Sequence, residues 1–170
     1  MTDTKTQNKH VAALIIAILI PLAVGAISAI LAAKDMRFYD IMNHPLLAPP
    51  GWVFPIVWTI LYIMMGYASY LVFTAKTDPD LKLHALIFYG IQLVMNFCWP
   101  LVFFVGKNYL VALLLIIMMW ITILISTIQF FRVQKIAGVM MLVLLLWTTF
   151  ATYFNIAYYI MSITPMPIPR

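Results

Sequence analysis

Glutamate is absent from this 170-residue chain, and five aspartates face ten lysines and arginines. Charged residues make up only 9% of the sequence, against 65% hydrophobic ones. A soluble domain of this length carries roughly a quarter charged residues, so that class is excluded. Cysteine occurs once, as Cys98 inside an apolar run, which leaves no disulfide framework and no cysteine-rich metal site. The three histidines, His10, His44 and His84, stand at run ends or in a connection. They do not form the facing imidazole pair of a membrane cytochrome, and no set of ligands for a structural or hydrolytic metal accompanies them. No Asp, Lys or Arg falls within a long apolar run. Proton-coupled exporters and ion pumps need an ionisable group at depth, and this chain offers none. The net charge of +5 is scattered along short connections, which marks membrane topology and not a nucleic-acid surface. Neither a catalytic residue nor a required cofactor is expected.

What remains is apolar and long. Five stretches, at about 11–33, 51–74, 83–105, 109–130 and 136–160, can each cross a hydrocarbon core of about 30 Å. The expectation is an all-α membrane protein, five transmembrane helices in one bundle over 11–160. A flexible N-terminus (1–10) and a flexible C-terminal tail (161–170) flank it. The first run is too long for a signal-peptide core and reads as a retained span. Pro21 predicts a kink there, and Gly25, Ser28, Ala29, Ala32 and Ala33 give surfaces for close helix contact.

The connection 34–50 differs from the others. It holds Phe38, Tyr39, Ile41 and Met42, which a loop meant only for water would not need, and it ends in the proline-stiffened run from His44 through Pro45, Pro49 and Pro50 to Gly51. It is expected to act as a lid, with His44, Pro45, Pro49 and Pro50 as its cover. Lysine and arginine number six on the amino-terminal side (Lys5, Lys9, Lys76, Lys82, Arg132, Lys135) and four on the other (Lys34, Arg37, Lys107, Arg170). That balance favours a cytoplasmic amino terminus.

The third span carries the polar information. Tyr89, Gln92, Asn96, Trp99 and Phe103 recur at spacings of three and four, so they share one helix face. An amide in hydrocarbon without a partner costs several kcal/mol, so this face turns to protein or to a cavity. Two readings stand: contacts between helices, worth ~0.6 kcal/mol each, or hydrogen-bonding groups inside a ligand pocket. Trp58, Trp99 and Trp147 fall toward the span ends beneath the proline loop, where aromatic walls suit a flat apolar ligand. Core packing is the alternative for any one of them. Gly25 with Ala29, and Ala85 with Gly90, offer small faces for a homodimer.

Several motifs then fall together. They are Pro49-Pro50-Gly51-Trp52 with Phe54-Pro55 and Trp58, and Met65-Gly66-Tyr67-Ala68-Ser69-Tyr70. Further on come Gln92-Leu93, Asn96-Phe97-Cys98-Trp99-Pro100, Phe103-Phe104, Leu146-Trp147 and Phe150-Ala151-Thr152-Tyr153. In this order and spacing the chain resembles the tryptophan-rich sensory protein / translocator protein family, the peripheral-type benzodiazepine receptors, as a bacterial member. The resemblance implies a five-helix bundle, commonly dimeric, with a pocket closed by the first loop. It implies binding of porphyrins or haem, of benzodiazepine- and isoquinoline-type drugs and, in animal mitochondria, of cholesterol. Its pocket positions map onto Trp52, Tyr62, Asn96, Trp99, Trp147 and Ala151. Two departures bear on function. Leu47 precedes the Ala48-Pro49-Pro50 group where the family usually has a tryptophan, and Phe97 follows Asn96 where a second often stands. If photochemical breakdown needs the loop tryptophan, Leu47 weakens it here. The expected function is therefore a receptor or sensor in a bacterial membrane for flat apolar ligands, tetrapyrroles first, regulating tetrapyrrole or stress responses. A transporter of porphyrin or lipid and a light-dependent porphyrin-degrading enzyme are the alternatives. Expected partners are the small apolar ligand, membrane lipid and a second copy of the chain, with no nucleic acid.

Overall fold

A chain with so few charges and such long apolar runs satisfies its backbone by helix alone, since hydrocarbon offers no partner for a free N–H or C=O. The computed structural model describes residues 2–36, 45 and 48–164. It contains α1 (Thr2–Met36), α2 (Val53–Thr74), α3 (Pro79–Pro100), a π-helical segment (Leu101–Val105), α4 (Tyr109–Val133) and α5 (Lys135–Ile163). Five stretches are long and apolar enough to cross a membrane, with the π segment continuing the third. The chain is an integral, all-α membrane protein with five spans.

Two ends differ from the sequence-based boundaries. Helix α1 starts at Thr2, through residues expected to be loose, because a nucleated helix extends by one hydrogen bond per residue. Helix α5 continues to Ile163 before Thr164 closes it. The lid residue His44 lies outside the described residues, as do Leu47 and the tail beyond Thr164.

Local chemistry sets the turns. Asp78 accepts the Asp80 N–H at 2.9 Å and caps α3, with Pro79 as the first helical residue. Asn108 accepts the Val111 N–H at 3.1 Å and caps α4. Lys107 takes the left-handed backbone (φ 49°) that lets the π segment turn into α4. Its ammonium lies 4.0 Å from Asp35 at the end of α1. Successive spans alternate direction, so the first connection, the α3–α4 turn and the end of α5 share one side of the bundle.

Helices α4 and α5 form the most extensive pair, while α1 packs mainly on α2 and α3 and leaves most of its surface to lipid. The main core runs through Leu61, Met65, Ile116, Met119, Phe130 and Met141, all nearly or fully buried. Gly66 sets the distance between α1 and α2. A Cβ there would lie 2.5 Å from the Ile18 Cα and 2.6 Å from the Ala17 carbonyl, both backbone atoms that cannot swing aside. Gly90 on α3 has nothing within 4 Å of such a position. A second core of Phe103, Ala112, Phe154 and Tyr158 sits at the first-loop side, and Ala48 packs against it.

The end of α3 is the irregular point. Pro100 has no N–H to give the Asn96 carbonyl, and the Leu101 N–H turns back to Cys98. The Phe97 carbonyl, released from the ladder, accepts the Ser28 hydroxyl from α1 at 2.7 Å. The chain then widens, and the Gly106 N–H reaches the Leu101 carbonyl at 2.8 Å, five residues back.

Two stability predictions follow from this packing. Gly66→Ala will destabilise the detergent-solubilised protein by about 1–3 kcal/mol, the cost of overpacking, while Gly90→Ala leaves the thermal midpoint nearly unchanged; equal midpoints for both would contradict the account. Ser28→Ala leaves a buried carbonyl unpaired and will cost about 1–3 kcal/mol in the same melt.

Candidate functional site

Where Pro100 interrupts α3, three helices leave a cavity between them. Helix α1 supplies Gly25, Ser28, Ala29 and Met36; α2 supplies Phe54, Pro55, Trp58 and Tyr62. Helix α3 and the π segment supply Asn96, Trp99, Pro100 and Phe104. The space measures about 90 Å³ and its wall is overwhelmingly apolar.

Each wall residue is there for a local reason. Phe54, Trp58 and Tyr62 follow at intervals of four along α2, so their rings stack down one face. Trp58 and Tyr62 are 5.5 Å apart between ring centroids. Tyr62 is 8% exposed. Its ring occupies the space a Cβ at Gly25 would need, so Gly25 is what lets the phenol lie flat against α1. Trp99 stacks on Phe103 at 4.9 Å and meets Phe104 edge-on at 6.0 Å.

The polar content is small and specific. Gln92 and Asn96 are 0% and 2% exposed. The Asn96 Nδ2 donates to the Gln92 Oε1 at 2.7 Å and to the Gln92 carbonyl at 2.9 Å. The indole N–H groups of Trp99 and Trp147 are buried without a hydrogen-bond partner among the described residues, as are the Asn96 Oδ1 and the Gln92 Nε2. Each such group forfeits about 1–3 kcal/mol. A polar ligand atom or water in reach of them would recover part of it. The Tyr89, Gln92, Asn96, Trp99 and Phe103 face does turn inward, as the spacing indicates.

Of the six expected pocket residues, Tyr62, Asn96 and Trp99 line the cavity. Trp147 stands one layer back, its ring 6.4 Å from that of Phe54, which does line it. Ala151 packs into the main core and not onto the cavity wall. Trp52 is a correction in geometry: it is 67% exposed. It precedes the first turn of α2 and does not line the cavity; interfacial tryptophans commonly sit at such helix ends. Among the lid residues, Pro45 accepts the Ala48 N–H at 3.2 Å, and the Pro50 carbonyl accepts that of Val53 at 3.0 Å. Pro45, Pro49 and Pro50 lie off the cavity wall; the loop is anchored on the second core through Ala48.

Sequence reasoning assigned Gly25, Ser28 and Ala29 to helix contact and missed them as cavity wall. The signal was present in part: Ser28 lies between two small residues on the only span carrying no tryptophan or tyrosine. Asn155 was missed altogether. It is fully buried on α5, and neither its amide oxygen nor its nitrogen has a partner among the described residues. Among the described residues no group of His, Cys, Asp or Glu is placed to hold a metal ion.

Comparison with known proteins joins this geometry to a lineage. The chain is 34% identical over 150 residues to "Tryptophan-rich protein TspO" of Chlorobaculum tepidum, covering 88% of this chain and 95% of that one. It is 37% identical over 122 residues to "Tryptophan-rich sensory protein" of Cereibacter sphaeroides, covering 72% and 75%. With the human "Translocator protein" it shares 32% identity over 128 residues, 72% and 73% of the two chains. The model of the TspO/MBR family matches residues 17–161, from within the first span into the fifth, and the chain belongs to that family.

Proposed function

We propose that this protein is a membrane receptor for flat, largely apolar ligands that carry hydrogen-bond acceptors, tetrapyrroles first and benzodiazepine- or isoquinoline-type drugs by the same chemistry. The observation that carries the reading is the cavity between α1, α2 and α3, walled by Trp58, Tyr62, Trp99 and Phe104 and lined at one point by the Asn96 amide. Aromatic faces bind a flat ring system by offset stacking. Indole N–H groups are donors whatever the surroundings, so the unpartnered indole of Trp99 on the cavity wall favours a ligand with a carbonyl or carboxylate edge.

The cavity is small for such a ligand. Pockets that enclose drug-sized molecules measure roughly 300–1,000 Å³, against about 90 Å³ here. Binding on this reading therefore displaces rings of the wall, and association falls below the diffusion limit. A sensing role accords with spans free of charge, since coupling transport to an ion gradient needs ionisable groups at depth. The proposed orientation puts the amino terminus in the cytoplasm, with the cavity toward the opposite leaflet, and the working unit is a homodimer.

Tryptophan quenching on titration with protoporphyrin tests the reading. Saturable quenching is expected in the wild type. Asn96→Ala, which removes the free Oδ1 acceptor for a pyrrole N–H, and Trp99→Phe, which removes an indole donor, are each expected to weaken binding by about tenfold, the loss of one buried hydrogen bond at ~1.4 kcal/mol. Quenching of equal affinity in both variants would remove the cavity as the site. Gly25→Ala is expected to push the Tyr62 ring into the cavity and to weaken binding at least as much. A binding curve unchanged from wild type would show that the ligand sits elsewhere.

A further inference from the structure

Apart from the cavity just described, a second apolar recess lies at the other end of the bundle, between the first halves of α1 and α3 and the last turns of α2. It measures about 370 Å³, within the roughly 300–1,000 Å³ range of pockets that hold small molecules. Its walls include Ala13, Ile16 and Ala17 on α1, Phe73 on α2, and Leu86 and Tyr89 on α3. Along α1 it runs from Ala13 to Ile20, about 10 Å at 1.5 Å per residue, inside a single leaflet of about 15 Å. Ile16 and Phe73 are 57% and 62% exposed, so the groove opens sideways toward lipid.

Two lysines crown it, one from each wall. Lys9 stands four residues before Ala13 and so lies one turn above it on the same face of α1. Lys82 folds back from α3 over the end of α2, its Nζ donating to the Phe73 carbonyl at 3.2 Å and to the Ala75 carbonyl at 3.0 Å. An ammonium has three donors, and these carbonyls use two. Neither lysine is in an ion pair among the described residues. Two carboxylates lie near Lys82 in sequence: Asp78, turned to the Asp80 N–H as the cap of α3, and Asp80 in the first turn of that helix.

We propose that this groove is a binding site for one acyl chain of an anionic glycerophospholipid, with the phosphate held by Lys82 and Lys9. The apolar walls and the depth suit a chain entering from its own leaflet, and the paired positive charges at the mouth select the headgroup. A second copy of this protein is a poorer occupant, because parallel two-fold docking through the groove, about an axis along the membrane normal, would bring Lys9 and Lys82 near their own counterparts. The site is separate from the Asn96–Trp99 cavity and does not depend on what that cavity binds.

Native mass spectrometry of the full chain, released from nanodiscs of equal parts phosphatidylglycerol and phosphatidylcholine, tests the proposal. The wild type is expected to retain phosphatidylglycerol in preference to phosphatidylcholine. Lys9→Gln and Lys82→Gln are each expected to reduce that preference by about fivefold, the effect of one basic residue near the membrane surface; Gln at 82 keeps a donor for the α2 carbonyls. Ala13→Phe, which fills the groove from its open side, is expected to lower retention of both lipids. A preference unchanged in both glutamine variants would overturn the proposal. So would unchanged lipid retention in a folded Ala13→Phe protein, and if that variant also became monomeric the groove would belong to a second copy.

Discussion

The hydroxyl of Ser28 on the carbonyl of Phe97 is the contact on which the rest of the site depends. Hydrocarbon tolerates no unpaired backbone group, and Pro100 breaks the α3 ladder well inside a span. One carbonyl is taken up by α1, and the next turns widen into a π segment that closes on Gly106. The break is therefore both tolerated and used. It ties α1 to α3 through a hydrogen bond, and beside that bond lies the space where Trp99 and Phe104 share a cavity with Trp58 and Tyr62. π segments inside α-helices are often found at functional sites, and this one borders the cavity.

Small residues on α1 complete the arrangement by omission. Gly25 gives its Cβ space to the Tyr62 ring, and Ala29 keeps the wall shallow. One span thus acts as a smooth backing plate for the aromatic faces of two others. The same logic at Gly66 lets α1 approach α2 to backbone contact, below which the helices diverge around the lipid-facing groove. The bundle consequently has two recesses on the α1 side, one per leaflet, with different chemistry. The first is aromatic with an amide and indole donors; the second is aliphatic under a pair of ammonium groups.

The fold was legible because each of its causes is local in sequence. Apolar runs of more than twenty residues admit only a helix, and the few charges mark every turn. The inward face of α3 was legible too, since Gln92, Asn96 and Trp99 keep the helical spacing and no amide is stable against lipid. The site was legible only in part. Trp52 and Trp58 look alike in sequence, yet one precedes the helix and points out while the other lies a turn and a half inside it. Trp147 lies toward the same leaflet as Trp99, but it meets the wall residue Phe54 edge-on and does not itself line the cavity, a placement that no periodicity encodes. The contribution of α1 was hidden because glycine, serine and alanine read as packing residues whether they meet another helix or a ligand.

Photoaffinity labelling tests the central claim most directly. A diazirine-bearing porphyrin, irradiated with the membrane-embedded protein and mapped by peptide mass spectrometry, should label peptides carrying Trp58 and Trp99, and excess protoporphyrin should abolish that labelling. Competed labelling confined to the α4–α5 face around Trp120 and Tyr153, with none on α2 or α3, would contradict the account.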